Sequence, residues 1–244
     1  MTGARVPVLL STLLGFGAAS VPPEPLYLTN VDSLTTAYSV AGIRVIQHVN
    51  RTNNLVAVSL YLLGGTRQIT ERTAGIEPLL LRAAANGTAR YPDGLSQRAM
   101  SRTGSVEFLN PTVDWTVVGF VTLRPDVDSA WQVFADRLLH PTLAAQEVEL
   151  ARDEMLATAR QRYADPDERI HIIASRVTFV GHPYALHPDG TEQSLLSLKQ
   201  QDLADYAATQ TVKSRMLLVV SGNIERPQVE SLVATTIGSL PPGQ

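Results

Sequence analysis

Apolar and polar positions begin to alternate at residues 43–49 (IRVIQHV), where the period of two predicts a half-buried strand. Residues 55–63 (LVAVSLYLL) form a more continuous apolar run. Asn53-Asn54 between the two supplies turn chemistry, so they are expected to pair as an antiparallel hairpin. Gly64-Gly65 closes the second run. The spacing then predicts a helix over 76–85, capped by Thr73, stopped at Gly87 and apolar enough all round to be buried. A shorter helix fits 95–102, and a strand rich in Val, Thr, Trp and Phe fits 113–123. Residues 127–139 place Val127, Ala130, Trp131, Phe134, Leu138 and Leu139 on one helical face, ended by Pro141. Two long helices, about 144–163 and 166–179, are separated at Asp165-Pro166. An irregular stretch, 181–190, leads to a helix over 199–209, a strand over 216–221 and a helix over 227–237. Pro241-Pro242-Gly243 reads as the start of a linker to a further domain.

Antiparallel strands with helices inserted between them predict an α+β fold, a two-layer α/β sandwich with a mainly antiparallel sheet. A chain of 244 residues with 44% apolar and 18% charged positions can bury a substantial core. Its net charge of −3, without local basic clusters, excludes a field that would hold nucleic acid. Cysteine is absent, which removes disulfides and thiolate metal sites. Arg5, the apolar run 6–16 and the small residues 17–20, with no acid before Glu24, form the parts of a secretory signal over residues 1–20. The mature chain is then expected to be secreted or periplasmic, a mitochondrial location being the alternative. A Pro-rich link over 21–33 precedes one domain over 34–240.

Few residues offer chemistry. His182 and His187 lie five residues apart on the irregular segment, without an acidic or histidine partner at metal-ligand spacing, and are read as structural. His48, His140 and His171 read as packed or surface residues, with His140 suited to a helix C-terminus. Trp115 and Trp131 are expected in the core. There is no G-x-S-x-G elbow, Walker loop or G-x-G-x-x-G.

Three stretches carry a resemblance. The first runs from Gly64-Gly65-Thr66-Arg67 through Gly75 to Asn86-Gly87-Thr88. The second is the helix around 148–160. The third joins His182-Pro183-Tyr184, Gly190-Thr191-Glu192, Leu203-Ala204-Asp205-Tyr206 and Leu217 to Ile224. Together they resemble the pitrilysin and mitochondrial-processing-peptidase family, the inverted-zincin metallopeptidases of LuxS/MPP-like fold, over roughly residues 35–240. The family's zinc site uses H-x-x-E-H on one helix and a carboxylate on a second. Aligned on Gly75 and Gly87-Thr88, the resemblance puts Pro78 and Arg82 at the two histidine positions and Leu81 at the general base. The distal ligand falls on Thr158 and its supporting acid on Ala151. Glu149, Asp153 and Glu154 nearby read as a solvated helix face.

The resemblance therefore implies a chain without catalytic residues, metal or cofactor, in which Leu81 and its neighbours fill the former zinc volume. It implies a non-catalytic partner subunit that pairs with a zinc-bearing homologous peptidase chain, or with itself, and contributes chamber wall and contacts to extended peptides. A structural scaffold like the bc1 core proteins is the alternative, and a free-standing enzyme of other chemistry the third.

Overall fold

A computed structural model describes residues 34–243. The expected signal segment, the whole link before the domain, and Gln244 lie outside the described residues. Six strands form one sheet: β1 (Thr35–Val40), β2 (Ile43–Val49), β3 (Leu55–Leu63), β4 (Val106–Pro111), β5 (Trp115–Leu123) and β6 (Met216–Gly222), in the order β1-β2-β6-β3-β5-β4. Only β2 and β6 pair in parallel, so the sheet is mainly antiparallel, as the strand pattern predicts.

The expected hairpin between β2 and β3 does not form. β6 lies between them, parallel to β2 from Arg44↔Leu217 and antiparallel to β3 from Val56↔Gly222. The reason is visible in the composition of β6: Met216-Leu217-Leu218-Val219-Val220 is apolar on both faces, which suits a central strand with a neighbour on each side. The Asn50–Asn54 segment crosses over it instead of turning tightly. Asn50 N donates to Gly222 O (2.9 Å), and Asn223 N donates to Leu55 O (3.1 Å). Local turn chemistry was thus overridden by a strand contributed from far along the chain.

The helices are α1 (Ile76–Asn86), α2 (Leu95–Arg102), α3 (Val127–Leu139), α4 (Ala145–Ala164), α5 (Pro166–Thr178), α6 (Glu192–Ser197), α7 (Gln200–Gln210) and α8 (Arg226–Ala234). β1, β4 and α6 have no counterpart in the expected pattern, being short segments of weak periodicity. Val56, Val58, Leu60 and Leu62 on one face of β3 are buried, and that face meets Trp131 and Phe134 of α3 and Val229 and Val233 of α8. Ala57, Ser59, Tyr61 and Leu63 on the other face stay partly exposed. Trp131 Nε1 donates to Leu232 O (3.1 Å) and Thr236 Oγ1 (3.0 Å), so its one polar atom is satisfied in the core. Trp115 departs from its expected place. It begins β5 at 40% exposure, edge-on to Tyr61, because the strand enters the sheet at its rim.

A second apolar cluster joins Leu79, Leu80 and Ala83 of α1 to Val148, Ala151, Met155 and Ala159 of α4, with Leu195 and Leu203 behind them. α5 buries no residue at all, and Ile170, Ile173 and Val177 on it are more than half exposed. The backbone carbonyls of Pro241 and Pro242 accept from Lys213 N and Ser214 N (both 2.9 Å), tying this segment to the domain.

Candidate functional site

The site is organised by α1. Its N-terminus turns on Gly75 (φ 87°), a conformation that side chains rarely adopt, and a Cβ there would stand 2.7 Å from Asp189 O. Gly190 (φ 77°) reciprocates, since its Cβ would meet Ala74 O at 2.5 Å. The two loops therefore pack backbone to backbone, which is what holds the 187–190 segment over the start of α1. The cap is Gly75, not Thr73; Thr73 Oγ1 instead accepts from Thr70 N (2.8 Å) inside the preceding turn. Pro78 is the third residue of the helix, where the N–H has no intrahelical acceptor, so proline is tolerated.

Pro78 is buried, whereas Leu81 and Arg82 are half-buried and face a cavity of about 240 Å³. The cavity lies between α1, α3 and the β4–β5 edge of the sheet. Phe108, Leu109, Phe134 and Leu138 supply its apolar wall, and Glu154 of α4 reaches it. Leu81 thus lines open space while also packing against the core, and α1 is not buried all round. Thr158 is exposed one turn beyond Glu154 and donates its Oγ1 to Glu154 O (3.0 Å); Ala151 is packed in the core. Neither Pro78 nor Thr158 lines the cavity, so the structure brings together Leu81, Arg82 and Glu154 alone of these residues.

A proline, a leucine, a guanidinium and an exposed hydroxyl offer neither imidazole nor carboxylate at the four positions that the resemblance aligns with the ligands and base, and the cation of Arg82 would repel a dication. These residues do not fit zinc. Among the described residues no group of three or more His, Asp or Glu stands together as a metal site.

Arg137 of α3 was not singled out by its sequence position. Its side chain is only 9% exposed; Nε donates to Ser96 Oγ (2.7 Å) and Nη1 to Glu107 Oε1. Its Nη2 is buried without a hydrogen-bond partner, and so is Nε of Arg82. Both arginines line the same cavity. The one cue in the sequence is a cation near the C-terminal end of an otherwise apolar α3 face.

Two further polar clusters flank α1. Glu77 Oε2 accepts from Tyr206 OH (2.8 Å) and Arg215 Nη2 (2.9 Å), all three being buried. Arg215 also donates to Leu63 O (2.6 Å) and Gln210 O (3.0 Å). Burial, reinforced by the Glu77 charge, raises the Tyr206 phenol far above its usual range. On the other side, His187 Nδ1 is an acceptor for Arg162 Nη1 (3.1 Å) and Asp189 N (3.2 Å). Burial, with the Arg162 cation beside it, depresses this imidazole to about 4. Burial raises the Asp189 carboxyl, an effect that Arg162 and Arg82 oppose.

His182 caps the 3₁₀ turn Pro183–Ala185, its Nδ1 accepting from Tyr184 N (3.2 Å), and His182-Pro183-Tyr184 is a structural turn as expected. Tyr184 OH donates to Asp114 Oδ1 (2.6 Å). His48 is bonded to Thr35 Oγ1 (2.9 Å), His140 to Asp136 at the end of α3 (2.8 Å), and His171 is exposed on α5.

Comparison with known proteins gives a consistent picture. Residues 44–186 match the family model described as Insulinase (Peptidase family M16). Over 237 residues the chain is 24% identical to human cytochrome b-c1 complex subunit 1, mitochondrial, covering 97% of this chain and 47% of that protein. It is 24% identical over 214 residues to the mitochondrial-processing peptidase subunit beta of Lentinula edodes, covering 87% and 46%. The chain therefore spans about half the length of these curated relatives. Among solved structures, a peptidase M16 inactive domain from Pseudomonas fluorescens superposes with a TM-score of 0.78 at 20% identity, over 86% of this chain and 52% of the other.

Proposed function

The chain belongs to the insulinase (peptidase family M16) family, and on that premise we propose that it is a non-catalytic member. In this reading it is a pseudo-peptidase subunit that pairs with a zinc-bearing homologous chain and contributes wall and substrate contacts. The observation that carries the proposal is α1 itself. The helix that the resemblance reads as the zinc helix is intact and packed on α4, and the side chains it presents to the cavity, Leu81 and Arg82, are neither imidazole nor carboxylate, which supports this reading. The exposed apolar side chains of α5, with Val180 just beyond it, are the kind of surface that association covers. The similar Pseudomonas structure is itself described as an inactive domain. Export through residues 1–20 belongs to the same proposal.

A second reading, a scaffold subunit of a larger assembly, draws on the human relative, which by name is a subunit of the cytochrome b-c1 complex. Co-expression with a homologue bearing H-x-x-E-H separates the two. The pseudo-peptidase reading expects a stable heteromer, zinc confined to the other chain, and peptide hydrolysis only by the pair. About one tightly held zinc per chain in this protein, or hydrolysis by this chain alone, would sink the proposal. Recovery only within a larger assembly, whatever homologue is supplied, would favour the scaffold.

A further inference from the structure

We propose that the cavity between α1, α3 and the β4–β5 edge is a binding site for a carboxylate carried on an apolar stem, held by Arg82 and Arg137. This goes beyond the pseudo-peptidase reading and does not depend on it.

Among the described residues, Arg82 Nε and Arg137 Nη2 are the only buried side-chain nitrogen or oxygen atoms without a hydrogen-bond partner. Both residues line one cavity. A buried N–H left unpaired bears its desolvation uncompensated, and a folded chain rarely places two such groups at one spot unless something else pairs with them.

The remaining polar groups around the cavity are largely committed elsewhere. Asn86 Nδ2 donates to Glu147 O (3.2 Å), and Asn86 Oδ1 accepts from Gln97 Nε2 (2.9 Å). Glu107 accepts from Arg137 Nη1. Glu154, exposed on α4, is a further carboxylate in the cavity lining, and Asp189 is near enough to Arg82 to feel its charge, though neither accepts from Arg82 Nε.

Two cavity-lining guanidiniums, one from α1 and one from α3, each with an N–H unspent, offer the two donors that a carboxylate's two oxygens require. The apolar wall asks for an apolar body behind that anion. At about 240 Å³ the cavity lies below the roughly 300–1,000 Å³ that houses drug-sized ligands, so it takes one side chain or a short alkyl stem. Glu107 and Glu154 also line the cavity and repel any anion in proportion to its charge, so a single negative charge fits better than a dianion such as phosphate. The ligand class is thus a monocarboxylate, either a free short-chain acid or the C-terminal residue of a peptide.

Titration calorimetry on the full chain tests this with hexanoate, N-acetyl-leucine, N-acetyl-leucinamide and inorganic phosphate. The acids are expected to bind and the amide to bind roughly tenfold more weakly or worse, since a charged hydrogen-bond partner is lost. Tighter binding of hexanoate assigns a free acid, and tighter binding of N-acetyl-leucine assigns a peptide terminus. Arg82→Met is expected to weaken the acids by a similar factor. Glu154→Gln is expected to strengthen them several-fold by removing a carboxylate from the cavity lining. Arg137→Met serves only as a supporting variant, because it also strips Ser96 and Glu107 of their partner and can disturb the fold. The proposal falls if neither acid binds at concentrations on the order of 10 mM. It falls equally if the amide or phosphate binds as tightly as the acids, or if Arg82→Met and Glu154→Gln leave their affinity unchanged.

Discussion

Two arginine environments lie along α1, and they are built on opposite terms. Near its start, Glu77 faces inward and is met by Tyr206 and Arg215, with the other guanidinium nitrogens of Arg215 donating to the Leu63 and Gln210 carbonyls. Little more than a turn further on, Arg82 holds a buried Nε that nothing accepts, and it lines the same cavity as Arg137, whose Nη2 is equally unpaired. The first arrangement is closed: each charge has its counter-charge and the remaining donors have carbonyls. The second is open. A satisfied buried charge cluster locks α1 to α7 and to the approach to β6, whereas unsatisfied donors around a cavity leave capacity for something outside the chain. The same helix thus carries a structural cluster and a site, and hydrogen-bond satisfaction distinguishes them where charge and burial do not.

Breaking the closed cluster gives the largest effect. Glu77→Leu leaves Arg215 buried without its counter-charge and is expected to lower unfolding free energy by about 3–5 kcal/mol, measured by urea denaturation. A loss below about 1 kcal/mol would mean that the cluster is not what anchors α1. Tyr206→Phe removes one hydrogen bond to the same carboxylate while leaving the ion pair, so about 1.5–3 kcal/mol is expected in the same assay.

The His187 pocket sharpens the comparison through pH. Folded His187 is depressed to about 4 from an ordinary 6.5 by burial and Arg162, so between those values the unfolded chain binds a proton that the folded chain refuses. Its contribution is fully present above about 6.5 and is lost as pH falls toward 4, at a slope of at most about 1.4 kcal/mol per pH unit. Asp189, raised by burial, acts in the opposite sense at the acid end of this window. His187→Gln is expected to flatten the stability profile between pH 5 and 6.5; an unchanged slope would remove His187 from the account. The smallest effect belongs to the open site. Arg82→Met discards an unpaired donor, and thermal or urea unfolding is expected to stay within about 0.5 kcal/mol of the unaltered protein. A loss comparable to that of Glu77→Leu would show that Arg82 has a structural partner after all and erase the contrast.

Much of this architecture was legible before any coordinates. The amphipathic face of α3, the apolar run of β6 and the breaks at Gly87, Pro141 and Asp165-Pro166 are local statements, made by periodicity and by residues with restricted backbones, and they hold in the structure. The exchange of neighbours in the sheet was not legible. Asn53-Asn54 states a turn preference worth little beside the pairing of β6 on both sides, and no local signal says which distant strand will arrive.

By itself, then, the sequence marked most of the segments that become helix or strand, β1, β4 and α6 excepted, and which atoms are on offer at each position, since both depend on covalent chemistry and near neighbours. Only the tertiary structure decided which of those atoms are satisfied. Arg215 and Arg82 are the same residue type on the same amino-acid string; one meets a carboxylate and two carbonyls, and the other meets a cavity with nothing to accept its Nε. Satisfaction is a property of groups brought together from positions as far apart as 77 and 215, and it exists only once the chain has closed around them.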